Sequence, residues 1–351
     1  MIEIPEYLLG SKEPFIICSR SVLQKQLGVL RDMGLEVFYS VKTNPEQVIL
    51  HELRDFGTGF STAGQEEFLL LMSMGIRPER IYHYERALTK ERVKRLIGLG
   101  CKNFVVESRK AFDNIIEEIG RGFSLLLRIM AKPADNRYAG DYVPGFDIGE
   151  VNELVERCKA RGIESGILHH SSSQMDDPMM WRSKFEELLA IDAKIDVDTI
   201  DIGGGLPVDY TGHGCKKVID EIKRGIKRFG KKRLIAEPGR FIVGPACSLV
   251  ARVELVDGQD VVVNCSVYDV HIDTIIAGLI LPCRVPGRSL GERKKIYRIL
   301  GSSLCNLDVF NPSVKLPEVS EGDIIVFDKA GAYNISSNFS SGGKIKTYIV
   351  D

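Results

Sequence analysis

The sequence predicts an α/β fold in which a parallel (β/α)8 barrel is followed by an all-β domain. Two patterns support this prediction: β-like runs alternate with helical patterns up to about residue 240, and β-rich segments with few helical patterns follow. Consecutive parallel strands need crossover helices, and eight such units are typical of a closed barrel. A doubly wound open sheet is the alternative, because strand spacing alone does not distinguish the two.

The eight β-like runs consist largely of bulky and β-branched residues, as expected of buried strands. They cover residues 37–42, 59–62, 80–84, 103–107, 124–130, 166–171, 199–203 and 233–237. Helical patterns lie between them, for example at 64–74 and 148–161, and several end at glycines, which are typical helix stops. A strand at 14–18 and a helix ending at Leu30 precede the first of these runs.

The sequence after Arg240 predicts a second domain. Short β-like segments are separated there by turns such as Asp257-Gly258, and helical patterns are few. The segments cover residues 241–256, 261–265, 297–300, 323–327 and 346–350. The predicted division is a barrel at 14–240 and a β domain at 241–351, which residues 1–13 complete.

Composition indicates an ordinary globular protein and argues against several functional classes. The 351 residues are 44% hydrophobic and 27% charged, and a formal net charge of -1 gives no sign of nucleic-acid binding. No apolar run has the length of a membrane span and the N-terminus lacks a signal-peptide pattern, so we expect a cytoplasmic protein. The eight cysteines are well separated without zinc-ligand spacing, which predicts reduced thiols and no metal.

Lys42 is the residue on which the functional prediction depends. It follows the apolar run 38–41, and Asn44-Pro45 does not continue a strand easily, so the lysine is expected at a strand's C-terminal end. Apolar walls at that position would favour the neutral amine that a Schiff base requires. The alternative is a lysine that merely reaches solvent beyond the strand.

The C-terminal ends of other predicted strands carry groups that favour the first interpretation. Barrel enzymes place their chemistry at this rim. The groups there are Arg128, His170 with Ser171-Ser172-Ser173, Gly203-Gly204-Gly205, and Glu237-Pro238-Gly239-Arg240. A glycine triplet alone is weak evidence of a site, but Arg240 beside it adds a planar donor, and together they predict a site for a phosphate monoester.

Glu237 and His170 each allow two interpretations. A carboxylate at a buried strand end has a raised pKa unless it meets a donor or a cation such as a protonated pyridine nitrogen. An isolated histidine is usually a satisfied core residue. Beside Lys42 and Glu237, however, His170 is better explained as a flat ring that packs on a flat cofactor.

Six ordered motifs carry a resemblance to a known family. They are Tyr39-Ser40-Val41-Lys42-Thr43-Asn44, Leu127-Arg128-Ile129, His169-His170-Ser171-Ser172-Ser173-Gln174, Asp201-Ile202-Gly203-Gly204-Gly205, Glu237-Pro238-Gly239-Arg240 and Gly331-Ala332-Tyr333. Over nearly its whole length the chain resembles the fold-type III, pyridoxal-phosphate-dependent decarboxylases, which include ornithine and diaminopimelate decarboxylases. The resemblance implies an enzyme that removes CO2 from an α-amino acid to give an amine.

The resemblance also implies a role for each matching residue. Lys42 would carry pyridoxal 5'-phosphate (PLP) as a Schiff base, Glu237 would pair with the ring nitrogen, and His170 would stack on the ring. The phosphate would be held by Ser173, Gly205, Gly239, Arg240 and Tyr333, with Arg128 nearby in the barrel. Gly203 and Gly204 would also belong to the cofactor-binding residues. A homodimer is implied as well, with active sites at the interface that β-domain residues of the partner complete.

The chain departs from the family in segments that are expected to meet the substrate. Without a gap, Leu304 takes the position of the family's catalytic cysteine, so either a one-residue shift brings Cys305 into the site or the protonation step differs. Cys265 replaces an aspartate that contacts the distal amine in diamine-forming members, and the loss of such a counter-charge is costly. Three acidic residues could compensate: Asp269, Asp273 and Asp308.

These departures predict a substrate whose far end is acidic or polar. Arg284 or Arg288 could bind a distal carboxylate, although both could equally be solvated loop arginines. Relatives usually have an aspartate near the lysine, where this chain has Ser61 instead or lacks two residues. One of Glu66 and Glu67 is expected to match the family's helix glutamate.

Two other functions remain open. One is a racemase of the same fold, although racemases resembling alanine racemase avoid a strong carboxylate at the ring nitrogen, which Glu237 would be. The other is a catalytically silent homologue that dimerises with an active decarboxylase. Only the altered segment 301–308 favours that interpretation, whereas the retained Lys42 and phosphate cradle favour an enzyme.

Overall fold

A computed structural model of the chain describes residues 2–131, 138, 143–195, 197–288, 294–334 and 345–351. The first strand, β1, spans Phe15–Ser19, and the next eight strands form a closed parallel barrel. The barrel strands are β2 Glu36–Ser40, β3 Gly59–Thr62, β4 Ile81–Tyr84, β5 Asn103–Val106, β6 Ser124–Arg128, β7 Glu164–Leu168, β8 Thr199–Asp201 and β9 Arg233–Ala236. Because β9 pairs with β2, the predicted (β/α)8 barrel is confirmed and the doubly wound alternative is wrong.

Helices follow the strands, and several begin at the capping residues that the sequence provides. They are α1 Glu6–Leu9, α2 Arg20–Arg31, α3 Gln47–Asp55, α4 Gln65–Ser73, α5 Lys90–Gly98, α6 Arg109–Ile116, α7 Ile148–Ala160, α8 Pro178–Asp192, α9 Lys216–Lys227, α10 Arg240–Val243, α11 Val267–Val270 and α12 Asp273–Ala277. Ser19, Thr89 and Ser108 each accept a hydrogen bond from the backbone N–H three residues later. Within the described residues, none of these helices has the length and apolar content that a membrane crossing requires.

The remaining strands form a second sheet. They are β10 Cys247–Asp257, β11 Asp260–Val263, β12 Cys283–Arg284, β13 Lys294–Leu300, β14 Val309–Pro317, β15 Ile324–Asp328 and β16 Lys346–Val350. Strand β1 belongs to this sheet, because it pairs antiparallel with β10 and parallel with β16. The sheet therefore groups residues 15–19 with the C-terminal strands, while the predicted domain boundaries stay a prediction.

One segment differs in type from the sequence prediction. A strand was expected from residue 241, but Arg240–Val243 form helix α10 and the strand begins only at Cys247. Phe241, Ile242 and Val243 are all buried in this helix. A short apolar run of this kind has the same pattern in a buried helix and in a buried strand, so tertiary packing decides between them.

Side chains fill the interior of the barrel. Phe38, Tyr82, Val105, Leu126, Leu168 and Ile235 form one buried cluster to which strands β2, β4, β5, β6, β7 and β9 contribute. The rings of Phe38 and Tyr82 meet edge to face with 4.8 Å between their centroids. This packing closes the barrel below the strand ends and gives a floor to any cavity above it.

A loop of the second sheet contacts the turn that follows β2. The backbone N–H of Tyr333 donates to the carbonyl of Thr43 at 2.8 Å, and Asn44 Nδ2 donates to the carbonyl of Gly331 at 2.9 Å. Asn44 is fully buried, and its carbonyl accepts from the Tyr39 hydroxyl at 3.0 Å. These hydrogen bonds join residues 331–334 to the turn that carries Lys42.

Candidate active site

A cavity of about 310 Å³ opens at the C-terminal ends of the barrel strands. The predicted site residues that line it are Lys42, Arg128, His170, Ser173, Gly204, Gly205, Glu237, Gly239, Arg240 and Tyr333. Gly203 lies next to the cavity, where its carbonyl accepts a hydrogen bond from the backbone N–H of Glu237 at 2.9 Å. Strand ends that are far apart in the sequence therefore converge on one volume.

Lys42 lies in a single 3-10 turn, Val41–Thr43, just beyond the end of β2 at Ser40. The strand is shorter than predicted because the chain turns before Pro45, and the N–H of Asn44 closes the turn on the carbonyl of Val41 at 3.1 Å. The Lys42 side chain is exposed in the open cavity. Its amine is therefore accessible to a small molecule, and the described residues do not provide the apolar walls that were expected around it.

Glu237 follows β9 and directs a carboxylate towards the cavity. Burial raises the pKa of this carboxyl, whereas the Ser61 hydroxyl and the positive charges of Lys42 and Arg128 oppose the rise. Within the described residues, the buried atom Oε1 has no hydrogen-bond partner. A buried, unpaired carboxylate oxygen beside a lysine fits a ligand that brings its own donor, such as a protonated ring nitrogen.

The glycine triplet and His170 form one wall of the cavity. The backbone N–H of Gly204 donates to His170 Nδ1 at 3.1 Å, which fixes the orientation of the ring. A Cβ at Gly203, where φ is +64°, would lie 2.7 Å from the carbonyl oxygen of His169, so only glycine fits. Burial, together with the charge of Lys184, holds the pKa of His170 well below its usual range, which keeps a neutral, flat ring in this wall.

Arg240 supplies the cationic end of the cavity. Its guanidinium carbon lies 4.9 Å from the ring centroids of both Tyr138 and Tyr333, and NH2 lies 3.4 Å from Ser173 Oγ. Among the described residues, its buried Nε has no hydrogen-bond partner. An unpaired guanidinium nitrogen next to a serine hydroxyl and the glycine loops fits a phosphate group, so the residues present fit PLP at both of its polar ends.

Three polar residues that sequence analysis missed, Tyr84, Arg86 and Glu107, contact Arg128 or its partner beside the cavity. Arg128 NH1 contacts the Tyr84 hydroxyl at 2.6 Å and Glu107 Oε2 at 3.1 Å. Arg86 Nε contacts the other oxygen of the same carboxylate at 3.0 Å. Tyr84 ends β4, and Glu107 directly follows β5, so these residues obey the strand-end rule that identified Lys42.

Glu67, one of the two glutamates that the sequence leaves open, has contacts near the candidate lysine. Glu67 Oε2 accepts a hydrogen bond from the backbone N–H of Ala63 at 2.7 Å. Burial raises the pKa of Glu67, and the charge of Lys42 opposes that rise. Glu67 therefore lies near enough to Lys42 for their charges to interact, and its match to the family's helix glutamate stays a prediction.

Besides Gly203, five predicted residues do not line this cavity within the described part of the chain: Cys265, Arg284, Arg288, Cys305 and Asp308. The buried Asp308 carboxylate accepts from the backbone N–H groups of Val267 and Ser303, each at 2.9 Å. The thiol of Cys305 lies 3.0 Å from the Tyr268 hydroxyl. Asp308 therefore organises the turn that presents Cys305.

The two arginines proposed for the substrate already have acidic partners. Arg284 Nε donates to Asp328 Oδ2 at 3.0 Å, and its NH2 donates to the carbonyl of Ile2 at 2.9 Å. Arg288 NH2 lies 3.6 Å from Asp323 Oδ2. Their contacts within one chain support an interpretation as structural residues of the second sheet.

Behind the His170 wall lies a buried lysine that sequence analysis did not identify. Lys184 Nζ lies 4.9 Å from the ring centroid of Trp181 and, within the described residues, makes no hydrogen bond. Burial lowers the pKa of Lys184 to about 7, although the charges of Asp201, Glu187 and Glu237 oppose the shift. In mildly alkaline solution, Lys184 is therefore protonated in the unfolded chain and neutral in the folded chain.

Lys184→Met is expected to stabilise the fold by about 2 to 4 kcal/mol at pH 7, because it removes a desolvated ammonium group. The ammonium group destabilises the fold fully at pH values below the folded-state pKa of about 7. This destabilisation decreases as the pH rises towards 10.5, the ordinary pKa of lysine. Denaturant unfolding at pH 7 and pH 9 should therefore give a smaller gain at pH 9. Lys227→Met, at an exposed position of α9, is the control and should change stability by less than about 0.5 kcal/mol.

Most of the chain, including the barrel strands that carry these residues, matches the model of a known protein family. Residues 19–244 match the family model described as "Pyridoxal-dependent decarboxylase, pyridoxal binding domain". The chain belongs to the pyridoxal-dependent decarboxylase family. The predicted family, the PLP cofactor and the class of enzyme are therefore confirmed, and nothing in the comparisons supports the racemase alternative.

Individual members of this decarboxylase family are distant relatives. The diaminopimelate decarboxylase of Methanothermobacter thermautotrophicus is 25% identical over 328 residues, which cover 86% of this chain and 76% of that protein. The ornithine decarboxylase of Schizosaccharomyces pombe is 26% identical over 336 residues, which cover 86% and 74%. The crystal structure of the Paramecium bursaria Chlorella virus arginine decarboxylase bound to agmatine shares the fold, with a TM-score of 0.84 at 22% identity over 97% and 96% of the two chains. Because the relatives are named for different amino acids, membership leaves the substrate open.

Proposed function

We propose that this decarboxylase acts on an α-amino acid, with PLP bound in the cavity at the strand ends. One observation carries the proposal: the accessible amine of Lys42, the carboxylate of Glu237 and the guanidinium of Arg240 all line this cavity. Lys42 would hold the cofactor covalently through its aldehyde carbon, and Arg240 would bind its phosphate together with Ser173 and Tyr333. When bound, PLP supplies a ring that accepts the electron pair left by departing CO2.

Glu237 and His170 would set the state of that ring. A carboxylate next to the ring nitrogen favours its protonated form, because the opposite charge stabilises the cation. The neutral imidazole of His170, oriented by Gly204, would pack against one face without adding a competing charge. Glu237 and His170 would therefore determine how strongly the ring attracts electrons, whereas Lys42 would determine where the cofactor is held.

We further propose that the far end of the substrate is acidic or polar. Of the described lining residues, Lys42, Arg86, Arg128 and Arg240 are cationic, and Glu237 is the single acidic one. Arg86 lies at the mouth, where 73% of its side chain is exposed although Nε contacts Glu107. Among the described residues, Arg86 and Arg128 share the single carboxylate of Glu107, so this group carries a net positive charge, and a distal carboxylate would meet the pair of arginines more favourably than a distal ammonium group.

Arg86→Gln is expected to raise the KM for a carboxylate-ended amino acid about tenfold with little change in kcat, because it removes binding that does not change during the reaction. The KM for ornithine or lysine should stay the same or fall. Steady-state CO2 release with meso-diaminopimelate, ornithine, lysine and arginine measures both effects. Arg77→Gln, at an exposed arginine outside the cavity, is the matched control. A wild-type preference for ornithine or lysine would contradict the acidic-end proposal.

The proposal includes a homodimer in which segment 301–308 contributes to the active site of the second subunit, with Cys305 as a catalytic group. Leu304 is fully exposed and Leu307 is 62% exposed, so this turn presents apolar side chains that a subunit interface would cover. Sedimentation equilibrium would test the dimer, and a monomer at assay concentration would contradict it. A cytoplasmic location also remains a proposal, which rests on composition and on the well-separated cysteines.

The same CO2 assay separates an enzyme from a silent homologue. An active decarboxylase should release CO2 from at least one amino acid of the panel in a PLP-dependent manner. Stable PLP binding through Lys42 without CO2 release from any of them would instead favour the silent homologue that dimerises with an active relative.

A further inference from the structure

Asp273, the first residue of α12, holds the arginine proposed to bind the phosphate. Asp273 is 5% exposed, and its Oδ2 lies 2.6 Å from Arg240 NH1 in an ion pair whose two side chains are both almost fully buried. The sequence offers Asp273 as one of three acidic residues that could bind a substrate amine. Its contact with Arg240 gives it a different role.

The contacts of Arg240 divide its nitrogen atoms into two groups. NH1 is engaged by Asp273 and lies 3.5 Å from the Tyr210 hydroxyl. NH2 lies 3.4 Å from Ser173 Oγ, and the buried Nε has no hydrogen-bond partner within the described residues. The rings of Tyr138 and Tyr333 lie 4.9 Å from the guanidinium carbon and restrict its movement further. One edge of the guanidinium, Nε with NH2, is therefore left for a ligand.

We infer that Asp273 is a positioning residue that fixes Arg240 with its Nε–NH2 edge towards the phosphate of PLP. The inference rests on the proposed function, because it assumes that the cavity binds PLP. Two N–H groups on one edge of a guanidinium match two oxygens of a phosphate, and this bidentate contact depends on the orientation of the plane. An anchor at the third nitrogen sets that orientation before the ligand arrives, which reduces the loss of side-chain freedom on binding.

Asp273 also acts on a phosphate through its charge, in the opposite direction. Its negative charge partly neutralises Arg240 and repels an incoming anion. Two substitutions separate these effects, because both remove the charge but only one removes the anchor. Asp273→Asn keeps a side-chain oxygen that can lie against NH1, whereas Asp273→Ala leaves NH1 without that partner.

The test is equilibrium binding of PLP, and of pyridoxal as a probe without phosphate, to the apoprotein, followed by absorbance and fluorescence. If Asp273 positions Arg240, Asp273→Ala weakens PLP binding about tenfold or more, and Asp273→Asn stays within about threefold of wild type. Pyridoxal affinity should change less than about twofold in either variant. Glu221→Gln, which alters a mostly buried carboxylate that pairs with Arg182 and Arg224 outside the cavity, controls for general damage.

Several results would overturn the inference. If both variants bind PLP as tightly as wild type or more tightly, Asp273 acts only through its charge. If PLP and pyridoxal weaken equally, or if Asp273→Asn is impaired as much as Asp273→Ala, the residue has no specific role in orienting Arg240. Thermal unfolding shows whether the alanine variant is folded; if it is not, Asp273→Ser, whose hydroxyl is too short to reach NH1, replaces it with the same expected loss of PLP affinity. Wild-type protein that does not bind PLP, or binds it no better than Lys42→Ala, would refute the proposed function itself, and the inference would fall with it.

Discussion

Lys42→Ala is expected to lower the rate of CO2 release by at least about a thousandfold, because the variant has no amine at the position where the cofactor would be held covalently. PLP should still enter the cavity, since Arg240, Ser173 and the glycine loops are unchanged, but its absorbance should resemble that of the free aldehyde. A CO2 assay together with an absorbance spectrum of the PLP-loaded protein measures both effects.

A matched lysine outside the cavity gives the control for this prediction. Lys216 is exposed on α9, where it pairs with Asp220 at 2.9 Å, and Lys216→Ala should leave both the rate and the spectrum unchanged. Full activity in Lys42→Ala would mean that the accessible amine in the 3-10 turn is not the functional lysine.

Glu237→Gln is expected to lower kcat by about a hundredfold or more, while PLP binding changes only a few-fold. The amide has nearly the shape of the carboxylate, but it lacks the negative charge that keeps a ring nitrogen protonated. Steady-state kinetics and PLP titration separate the two effects. A variant with normal kcat would contradict the proposed contact between Glu237 and the ring nitrogen.

The same substitution should make the apoprotein more stable near neutral pH. Because burial raises the folded-state pKa of Glu237, folding favours its protonated form, and stability is lost as the pH rises through that value. Glutamine removes this loss, so the gain in melting temperature should be larger at pH 7 than at pH 4. Opposite changes in stability and kcat are typical of a residue kept for function at a cost to the fold.

The barrel could be predicted from sequence because its pattern is local and repeated. The strand Gly59–Thr62 was predicted with its observed bounds, and the helix pattern at 148–161 ends one residue from the end of α7. The predicted strand ends also identified Lys42 and Glu237, because the position of each depends only on one strand and the turn that follows it. The same rule, applied to the ends of β4 and β5, would have identified Tyr84, Arg86 and Glu107.

Long-range contacts could not be predicted in this way. Asp273 pairs with Arg240 only because α12 packs against the end of the barrel, and neither residue type nor spacing indicates that contact. Lys184 occupies a position on α8 that looks like a solvent-facing one in the sequence, yet the helix turns it against Trp181. The sheet membership of β1 depends likewise on strands more than two hundred residues away, at Cys247–Asp257 and Lys346–Val350.

The segment around Cys305, which we propose meets the substrate, does not line the cavity that the described residues of its own chain form. Cys305 and Asp308 lie on a turn held by hydrogen bonds within the second sheet, away from the residues that line the cavity of the same chain. A contribution of this turn to catalysis requires a second subunit. Sequence motifs indicate such a role by resemblance alone, because a contact between subunits leaves no local pattern in either segment.

The most direct test of the central claim is to incubate the apoprotein with PLP, reduce it with borohydride, digest it and locate the modified lysine by mass spectrometry. Borohydride converts the linkage between a lysine and the cofactor into a stable one, so the label marks the residue that holds PLP. The account predicts a label on the peptide that contains Lys42, and none there in Lys42→Ala. Labelling of another lysine such as Lys184, or no labelling at all, would contradict it.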